Sequence, residues 1–335
     1  MDREFHYYIT YFLALRAGFL KEEAHIIAYS SQYTDDNTLI FKVSSKKGLY
    51  VNYVSQTFNI LRPQKKLLRI YPIFHFMPGS KEEVQSYGFT RKDGKVHVLN
   101  TIPGNKNSLL ILEDAINSRN LFRIGIACHT FSDTYAHQNF VGLPDPLNSK
   151  ANFQEKLIPN VGHADFRRKP DRPYLVWEDV RLKESLRIVN NKDRVLNASR
   201  EIYKKLCSIT EKDPYGEDYV INSISSVIGD PLWKEEREES RIEKYKDLLG
   251  KDFIPYERTL WLKEALIFDA FSSFIRAIDA IFGSLGLMPF KIPAKAKEDF
   301  ENSNWLKFQE AVKEHQRLAL DLLGPVFGEV EIDNL

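Results

Sequence analysis

Apolar residues recur at spacings of three and four along most of the chain, and this period most strongly constrains how the chain folds. The segment 257–285 shows it clearly, with Leu262, Leu266, Ala270 and Phe274 in one row. Because an α-helix turns once in 3.6 residues, positions at these spacings share one face that needs burial. The pattern predicts helices over 4–19, 21–33, 107–140, 181–209, 234–249, 257–285 and 303–323, with 257–285 as a core helix.

Strand patterns are confined to short pieces of the chain. They predict strands at 38–43 and 49–57, around the turn formers 44–48, and a strand pair at 89–100 around Lys92-Asp93-Gly94. We interpret these pieces as hairpins inserted between helices. The predicted fold is therefore mainly α: a single, helical bundle-like domain over 1–335 with small β-hairpin insertions. We expect residues 1–180 to carry the functional site and 181–335 to supply scaffold or substrate-wall helices.

Composition and charge exclude several classes of protein. Of the 335 residues, 43% are hydrophobic and 28% are charged, which is typical of a folded globular chain. A net charge of +1 gives no long-range field that would hold a nucleic acid or an anionic membrane. The most apolar stretch, 261–290, contains five charged side chains, and the N-terminal stretch does not resemble a signal peptide. We therefore predict a cytoplasmic protein without a transmembrane segment.

The segment from Cys128 to Phe140 places His129, Asp133 and His137 four residues apart. On a helix these side chains form one slowly turning stripe, because each step of four residues advances about 40° around the axis. Such a stripe suits one divalent metal ion, or two ions with the carboxylate between them. The alternative is an ordinary set of helix polar residues in which Asp133 pairs with a histidine. Because the chain has only two cysteines, nitrogen and oxygen atoms would have to hold any metal.

Further histidines and aspartates lie in apolar or loop settings before residue 180. Each one alone is typical of a buried structural histidine or a helix-capping aspartate, whereas together they predict a metal site. His25, His97 and His315 are interpreted as structural or surface residues. The further candidate ligands are His6, Asp35, His75, His163 and Asp171, and Asp36 beside Asp35 is a candidate catalytic residue.

Several sequence blocks resemble those of a bacterial family of uncharacterised proteins. The blocks are FHYY, AYSSQYTDDN, FHFMP, IGIACHTFSDTYAHQNFVG and GH followed by PD, and they cover residues 1 to about 175. The order of ligand types is also similar, more distantly, to that of the zinc-dependent phospholipase C and single-strand nuclease superfamily, helical enzymes with a three-metal cluster. The positions that correspond to ligands of that superfamily are His6, Asp35, His75, His129, Asp133, His137, His163 and Asp171.

The sequence departs from the superfamily pattern in three places. The chain starts Met1-Asp2, whereas the superfamily begins with a tryptophan whose amine binds metal. The gap before the last histidine of the helix motif is three residues, which is shorter than in the superfamily. Arg167 stands where the final acid is expected, and this leaves Asp165 or Asp171 as the loop ligand.

The superfamily resemblance implies a metal-dependent hydrolase that cleaves a phosphoester, of a small molecule or a lipid, with a metal-bound hydroxide. It implies that Asp133 bridges metal ions and is catalytic, while Asp36 orients the water or the ligating histidines. The implied cofactors are divalent metal ions, zinc first, with iron or manganese as alternatives. The run Arg167-Arg168-Lys169 either engages a phosphate or is a solvated basic loop.

Two rival functions follow from the same residue types. An HD-type phosphohydrolase needs an adjacent His-Asp pair, and the sequence contains none. The other rival is a non-catalytic, metal-stabilised binding or interaction protein, in which ligands fill every coordination position of the metal. A sequence does not show whether a metal has a coordination position open to water. The hydrolase and the metal-stabilised binding protein therefore both remain as candidate functions.

Overall fold

The structure is a computed structural model that describes residues 1–57, 67–87, 90–150, 160–268 and 291–329. Over these residues the fold is mainly α, as the apolar spacing predicts. Two π-helical turns, Glu4–Ile9 and Tyr71–His75, each carry a candidate histidine. No helix in the described ranges is long and apolar enough to cross a membrane. The α-helices are α1 (Thr10–Arg16), α2 (Lys21–Asp36), α3 (Lys81–Tyr87), α4 (Lys106–Ser118), α5 (Leu121–Ala136), α6 (Asn191–Thr210), α7 (Glu217–Ile228), α8 (Glu238–Leu249), α9 (Leu260–Ala265) and α10 (Asn304–Glu329).

The predicted hairpin is present and belongs to a larger sheet. Strands β1 (Ile40–Ser45) and β2 (Gly48–Val51) pair antiparallel, as expected around the turn formers. A second hairpin, β3 (Val176–Glu178) with β4 (Ile188–Asn190), forms a separate two-stranded sheet. Strand β5 (Leu266–Ile267) and strand β6 (Lys291–Ala296) extend the first sheet to the order β2-β1-β6-β5, and β6 lies parallel to β1. The hairpin is therefore joined to the C-terminal part of the chain, which its local sequence does not indicate.

The prediction of one helix over 107–140 is wrong at its middle. Helix α4 ends where Arg119 adopts a left-handed conformation with φ of 54°. Asn120 then caps α5 with its side chain, which accepts hydrogen bonds from the backbone N–H groups of Phe122 and Arg123. A left-handed residue followed by an asparagine N-cap is a common helix boundary. The apolar period continues across this break because both helices bury one face in the same core.

Several other segments differ from the prediction. The strand predicted over 49–57 is Gly48–Val51, and the helix predicted from 234 begins at Glu238. The helix predicted to start at 181 starts at Asn191, because residues 184–190 form a short 3-10 helix and strand β4. Residues 90–100 form no strand pair, and His97 is therefore not a strand residue. The core helix predicted at 257–285 is helical at Leu260–Ala265 and then becomes β5, while 269–285 lies outside the described residues. The other 3-10 helices are Pro146–Asn148, Ala164–Phe166, Lys169–Asp171, Pro214–Gly216, Gly250–Asp252 and Phe300–Asn302.

Helices α2 and α5 pack closely at a glycine, and this contact positions the candidate site. A Cβ atom on Gly125 would lie 2.3 Å from the carbonyl oxygen of Ile27 and 2.5 Å from the Cβ of Ser30. Only a residue without a side chain allows the two backbones to approach this closely. The contact brings Asp35, at the end of α2, towards the stripe of ligand candidates on α5.

His315 on α10 is a buried structural residue. Its Nε2 lies 3.2 Å from the carbonyl oxygen of Ile73 and 3.3 Å from the Thr130 hydroxyl, and its ring stacks on Phe74 with centroids 5.0 Å apart. The sequence left open whether His315 is a structural or a surface residue, and the structure shows that it is buried in the core. Burial lowers the pKa of His315 to about 4, because the charged imidazolium would be separated from water.

The lowered pKa of His315 predicts a specific loss of stability in acid. The unfolded chain takes up this proton near pH 6.5 and the folded chain only near pH 4, so the free energy of unfolding falls as the pH drops between these values. We expect this group to account for about 3 kcal/mol. The measurement is urea unfolding at pH 7 and pH 4 with EDTA present. Between these pH values, the free energy of unfolding should fall by about 3 kcal/mol less in His315→Gln than in the wild type. Equal losses in both proteins would contradict the assignment.

Candidate metal centre

Asp133 lies at the centre of the candidate ligands. It belongs to the last turn of α5 and its side chain is 1% exposed. One carboxylate oxygen, Oδ1, lies 3.2 Å from Nε2 of His6, and the other, Oδ2, lies 3.3 Å from both His75 Nδ1 and His129 Nε2. His137 Nδ1 is 3.7 Å from the same Oδ2. Both oxygens of one buried carboxylate therefore face imidazole nitrogens from four places in the chain.

Asp35 closes one side of this group. Its Oδ1 lies 3.6 Å from His75 Nδ1 and 3.8 Å from His129 Nε2, and its Oδ2 lies 3.8 Å from His6 Nε2. The histidines themselves are in contact: His129 Nε2 is 3.0 Å from His75 Nδ1, and the rings of His6 and His129 stack with centroids 3.9 Å apart. The end of α2, both π-helical turns and α5 thus converge at one point.

The long loop supplies the remaining candidates. His137 is the first residue after α5, which ends at Ala136, and its Nε2 lies 2.9 Å from Oδ1 of Asp171. His163 Nε2 lies 3.4 Å from the same oxygen. Asp165 instead accepts a hydrogen bond from the backbone N–H of Lys150 at 3.1 Å. The sequence left Asp165 and Asp171 as alternatives, and Asp171 is the one that lies with the histidines.

Three sets of ligand atoms could each hold a metal ion. Within each set the atoms lie within 4.8 Å of one another, and the sets are His6, His129 and Asp133; Asp35, His75 and His129; and His137, His163 and Asp171. A tetrahedron with metal–nitrogen bonds of 2.0–2.1 Å has edges of about 3.3 Å. The distances from Asp133 to His6, His75 and His129 have this length, whereas N–H···O hydrogen bonds are typically shorter. This spacing fits a coordination shell.

Hydrogen bonds fix which ring nitrogen of three histidines faces the cluster. A carbonyl oxygen only accepts, so the nitrogen that contacts it carries the proton. His75 Nε2–H donates to the Ser55 carbonyl at 2.8 Å, His137 Nδ1–H to the His75 carbonyl at 2.7 Å, and His163 Nδ1–H to the Arg167 carbonyl at 2.7 Å. Each remaining nitrogen presents a lone pair to a carboxylate-rich centre. This is the usual arrangement around metal-ligating histidines.

The other two histidines lack such partners. Neither ring nitrogen of His6, nor Nδ1 of His129, has a hydrogen-bond partner among the described residues. Both side chains are fully buried. A buried polar atom without a partner costs about 1–3 kcal/mol. For His6 Nε2, which lies near two carboxylates, a bound cation would remove this cost.

The electrostatic environment favours the protonation states that metal ligands need at four of the candidates. At the other two shifted candidates the direction is opposite: Asp133 and Asp35 outweigh burial and raise the pKa of His75, and burial raises the pKa of Asp35. Burial lowers the pKa of His6 well below its usual value and also lowers the pKa of His137. Burial opposes ionisation of Asp133, but His137, the Met1 amine and His129 outweigh it and hold the pKa of Asp133 well below its usual range. The pKa of Asp171 is lowered in the same way, chiefly by His163 against the effect of burial. Neutral imidazoles beside ionised carboxylates are ready to bind a cation.

The backbone nitrogen of Met1 also lies in the cluster. It contacts the Asp133 carboxylate and is 3.6 Å from Oδ1 of Asp171. Burial lowers its pKa, but Asp133 and Asp171 outweigh burial and raise the pKa of this amine to about 10. In the sequence, the start Met1-Asp2 is a departure from the superfamily pattern. The structure places the Met1 nitrogen beside two ligand candidates, Asp133 and Asp171, and the sequence does not indicate this position.

Asp36 lines the same cavity as most of the ligand candidates but is held by other partners. Its Oδ2 accepts hydrogen bonds from the Tyr256 hydroxyl at 2.8 Å and from Gln32 Nε2 at 3.2 Å, and its Oδ1 pairs with Arg258 Nε at 2.9 Å. Neighbouring residues on a helix differ in direction by about 100°, so Asp35 and Asp36 face different groups. Sequence reasoning missed Tyr256 and Arg258, because they lie about 220 positions away and belong to no local motif.

A cavity of about 770 Å³ leads from the cluster to the protein surface. Asp35, His75, Asp133, His137, His163 and Asp171 line its inner part. Its wall also contains aromatic and apolar side chains and several arginines: Tyr71, Phe76, Val161, Tyr256, Arg3, Arg167, Arg168 and Arg258. The volume is in the range of pockets that bind small molecules.

Comparison with known proteins places the chain in a family without assigning a function. The model of a family of unknown function matches residues 1–323. No curated protein and no solved structure matches the chain. The resemblance to zinc-dependent phospholipases and nucleases therefore stays a prediction.

Proposed function

The chain belongs to DUF6765, a family of unknown function, and we propose that it is a metal-dependent hydrolase of phosphoesters. The observation that carries the proposal is the position of Asp133. Its two oxygens face different histidines at the inner end of a cavity that reaches the surface. A carboxylate shared in this way can bridge two divalent ions, and paired ions stabilise both the attacking and the leaving oxygen of a phosphoryl transfer.

The metal ions are proposed from the chemistry of the ligands. Five histidines and three aspartates, without a cysteine, form the candidate set. Imidazole with carboxylate suits zinc, iron and manganese, whereas calcium and magnesium prefer sites made of oxygen alone. Zinc is our first choice because its tetrahedral edge length matches the spacing around Asp133. When bound, such ions would lower the pKa of a coordinated water towards 7.

The cavity supports catalysis rather than a closed structural site. A structural metal is surrounded by protein ligands, whereas a catalytic metal keeps a position for water or substrate. Here the side chains of Asp35, Asp133 and Asp171 take part in the lining of an open cavity. The order of ligand types that resembles the phospholipase C and nuclease superfamily supports the same conclusion. The ligands, the cavity and the resemblance together favour hydrolysis over the non-catalytic alternative.

A hydrolysis assay with paired loop variants tests this proposal. The zinc-loaded protein, with any tag at the C terminus because Met1 lies in the cluster, should hydrolyse p-nitrophenyl phosphate or bis(p-nitrophenyl) phosphate. EDTA should abolish turnover, and zinc or manganese should restore it. Asp171→Asn should lose activity about 100-fold or more, since it removes a ligand. Asp165→Asn, in the same loop, should stay within about twofold of the wild type because its carboxylate bonds a backbone N–H instead.

The outcomes separate the two functions. A protein that retains two or three equivalents of metal and turns over neither substrate would support the metal-stabilised binding protein. Turnover that survives complete metal removal would also contradict the proposal, because metal-bound water would then not be the nucleophile.

A further inference from the structure

Two arginines of the long loop carry positive charge on the cavity wall that no acidic side chain among the described residues pairs with. Arg167 and Arg168 line the cavity, whereas the next residue, Lys169, does not. Among the described residues, neither arginine forms an ion pair. The remaining charged side chains on the wall do: Arg3 pairs with Glu238 at 2.7 Å, Arg258 pairs with Asp36 at 2.9 Å, and Asp2 pairs with the buried Arg172 at 3.0 Å.

The loop holds Arg167 in a strained backbone conformation beside a candidate ligand. Its φ of 54° and ψ of −132° are favoured by glycine and disfavoured by residues with a side chain. The same residue uses its carbonyl oxygen to accept the hydrogen bond from His163 Nδ1. Backbone strain of this kind costs about 1–3 kcal/mol and is concentrated at functional sites. An arginine here therefore combines an unfavourable backbone conformation with a position on the cavity wall.

The positive charges of Arg167 and Arg168 indicate what kind of group the outer cavity would bind. On the proposed function, the bound metal ions neutralise the phosphoester group that reacts. The two arginines then remain for another part of the substrate, and guanidinium groups match carboxylate and phosphate in shape as well as charge. A cationic group at this position would be repelled.

We propose that the substrate is a phosphoester that carries a second anionic group, a carboxylate or another phosphate, held by Arg167 and Arg168. This inference rests on the proposed function and names its substrate class. The cavity volume of about 770 Å³ and its aromatic wall limit the substrate to a small organic molecule. The arginines act on binding and orientation, not on bond breaking.

Three small phosphate esters of similar size test the proposal directly. They are 2-phosphoglycolate, with a carboxylate; ethyl phosphate, with no second charge; and O-phosphoethanolamine, with an ammonium group. With the zinc-loaded protein, initial-rate kinetics for an ester that is turned over, or calorimetric titration for one that is not, should give a KM or Kd for phosphoglycolate roughly tenfold below that for ethyl phosphate, with phosphoethanolamine weakest. Raising the salt concentration should reduce this preference, because the arginines are exposed to solvent.

Matched variants show whether the arginines cause the preference. Arg167→Gly/Arg168→Ala should bind ethyl phosphate like the wild type and lose the preference for phosphoglycolate. The glycine relieves the strained φ and keeps the carbonyl that orients His163, so the fold and the metal content should be retained. Lys169→Ala is the control from the same loop and should keep the full preference.

The readouts separate this inference from the hydrolase proposal. Four results would overturn the inference. Three concern the wild type: equal binding of the three esters, no binding of any of them, or tighter binding of phosphoethanolamine. The fourth is a preference for phosphoglycolate that survives in the double variant. Turnover without a preference for phosphoglycolate over ethyl phosphate would support the hydrolase proposal and contradict the proposed substrate class. Preference for phosphoglycolate without turnover of any ester would support anion binding by the arginines and remove the hydrolase.

Discussion

Asp133→Asn is expected to remove at least two equivalents of bound metal from the protein. Asparagine keeps the size of the side chain but replaces the carboxylate, whose two oxygens face His6 on one side and His75 and His129 on the other. Because all these candidate ligands meet at one carboxylate, its loss should affect more than one ion. Metal that binds only the folded state stabilises it by about 2.7 kcal/mol at a concentration 100 times Kd, and the variant should lose this stabilisation.

Elemental analysis and thermal melts of the purified proteins measure this effect. The control is Asp36→Asn, which removes the neighbouring carboxylate on the same side of the cavity. Its charge pairs with Arg258 and Tyr256 rather than with the histidines, so metal content should equal that of the wild type. An Asp133→Asn protein that retains the full metal content would refute the central position of this carboxylate. Metal loss in Asp36→Asn would support the role predicted from the sequence, in which Asp36 orients the water or the ligating histidines.

Arg241→Met is expected to lower the free energy of unfolding by about 3–5 kcal/mol, the usual cost of leaving one buried charge unpaired. Arg241 and Glu4 are both fully buried, and the Nη2 of Arg241 lies 3.1 Å from Oε2 of Glu4. Arg241 also donates to the Ile228 carbonyl at 3.1 Å. Glu4 begins the π-helical turn that carries His6, so disturbing this pair should also weaken metal binding.

Urea unfolding of three variants separates the ion pair from simple loss of packing. In Glu4→Gln/Arg241→Met both charges are absent, and most of the stability lost in Arg241→Met should return. Lys244→Met, on the same helix α8, removes a half-exposed charge 3.7 Å from Glu236 and should cost less than about 1 kcal/mol. If Arg241→Met and Lys244→Met were equally stable, the buried pair of Glu4 and Arg241 would not stabilise the π-helical turn that begins at Glu4.

The mainly helical fold and much of the candidate site could be predicted because their signals are local. Apolar spacing reports which face of a segment is buried. It predicted helices over 4–19, 21–33, 234–249 and 303–323, and the structure has helices over 4–16, 21–36, 238–249 and 304–329. The spacing of His129, Asp133 and His137 similarly follows from one helix and the residue after it. The same apolar period hid the break at Arg119 and Asn120, because two helices that bury one common face continue it.

The direction of single side chains could not be predicted from the sequence. Asp35 and Asp36 are adjacent and chemically identical, yet one faces the histidines and the other faces Arg258. In the loop, Asp165 bonds a backbone N–H while Asp171 joins His137 and His163. Each choice depends on partners far away in the chain.

The sequence by itself determined the residue types of the site, the four-residue spacing of His129, Asp133 and His137, and the scarcity of cysteine, with two in the chain. Only the tertiary structure decided which carboxylates join the histidines, which two of the cavity arginines form no ion pair among the described residues, and how closely α2 approaches α5 at Gly125. The physical reason is the range of the interactions. Helical periodicity arises between residues three or four positions apart, whereas a ligand cluster forms only where the packing of distant segments buries charged groups together.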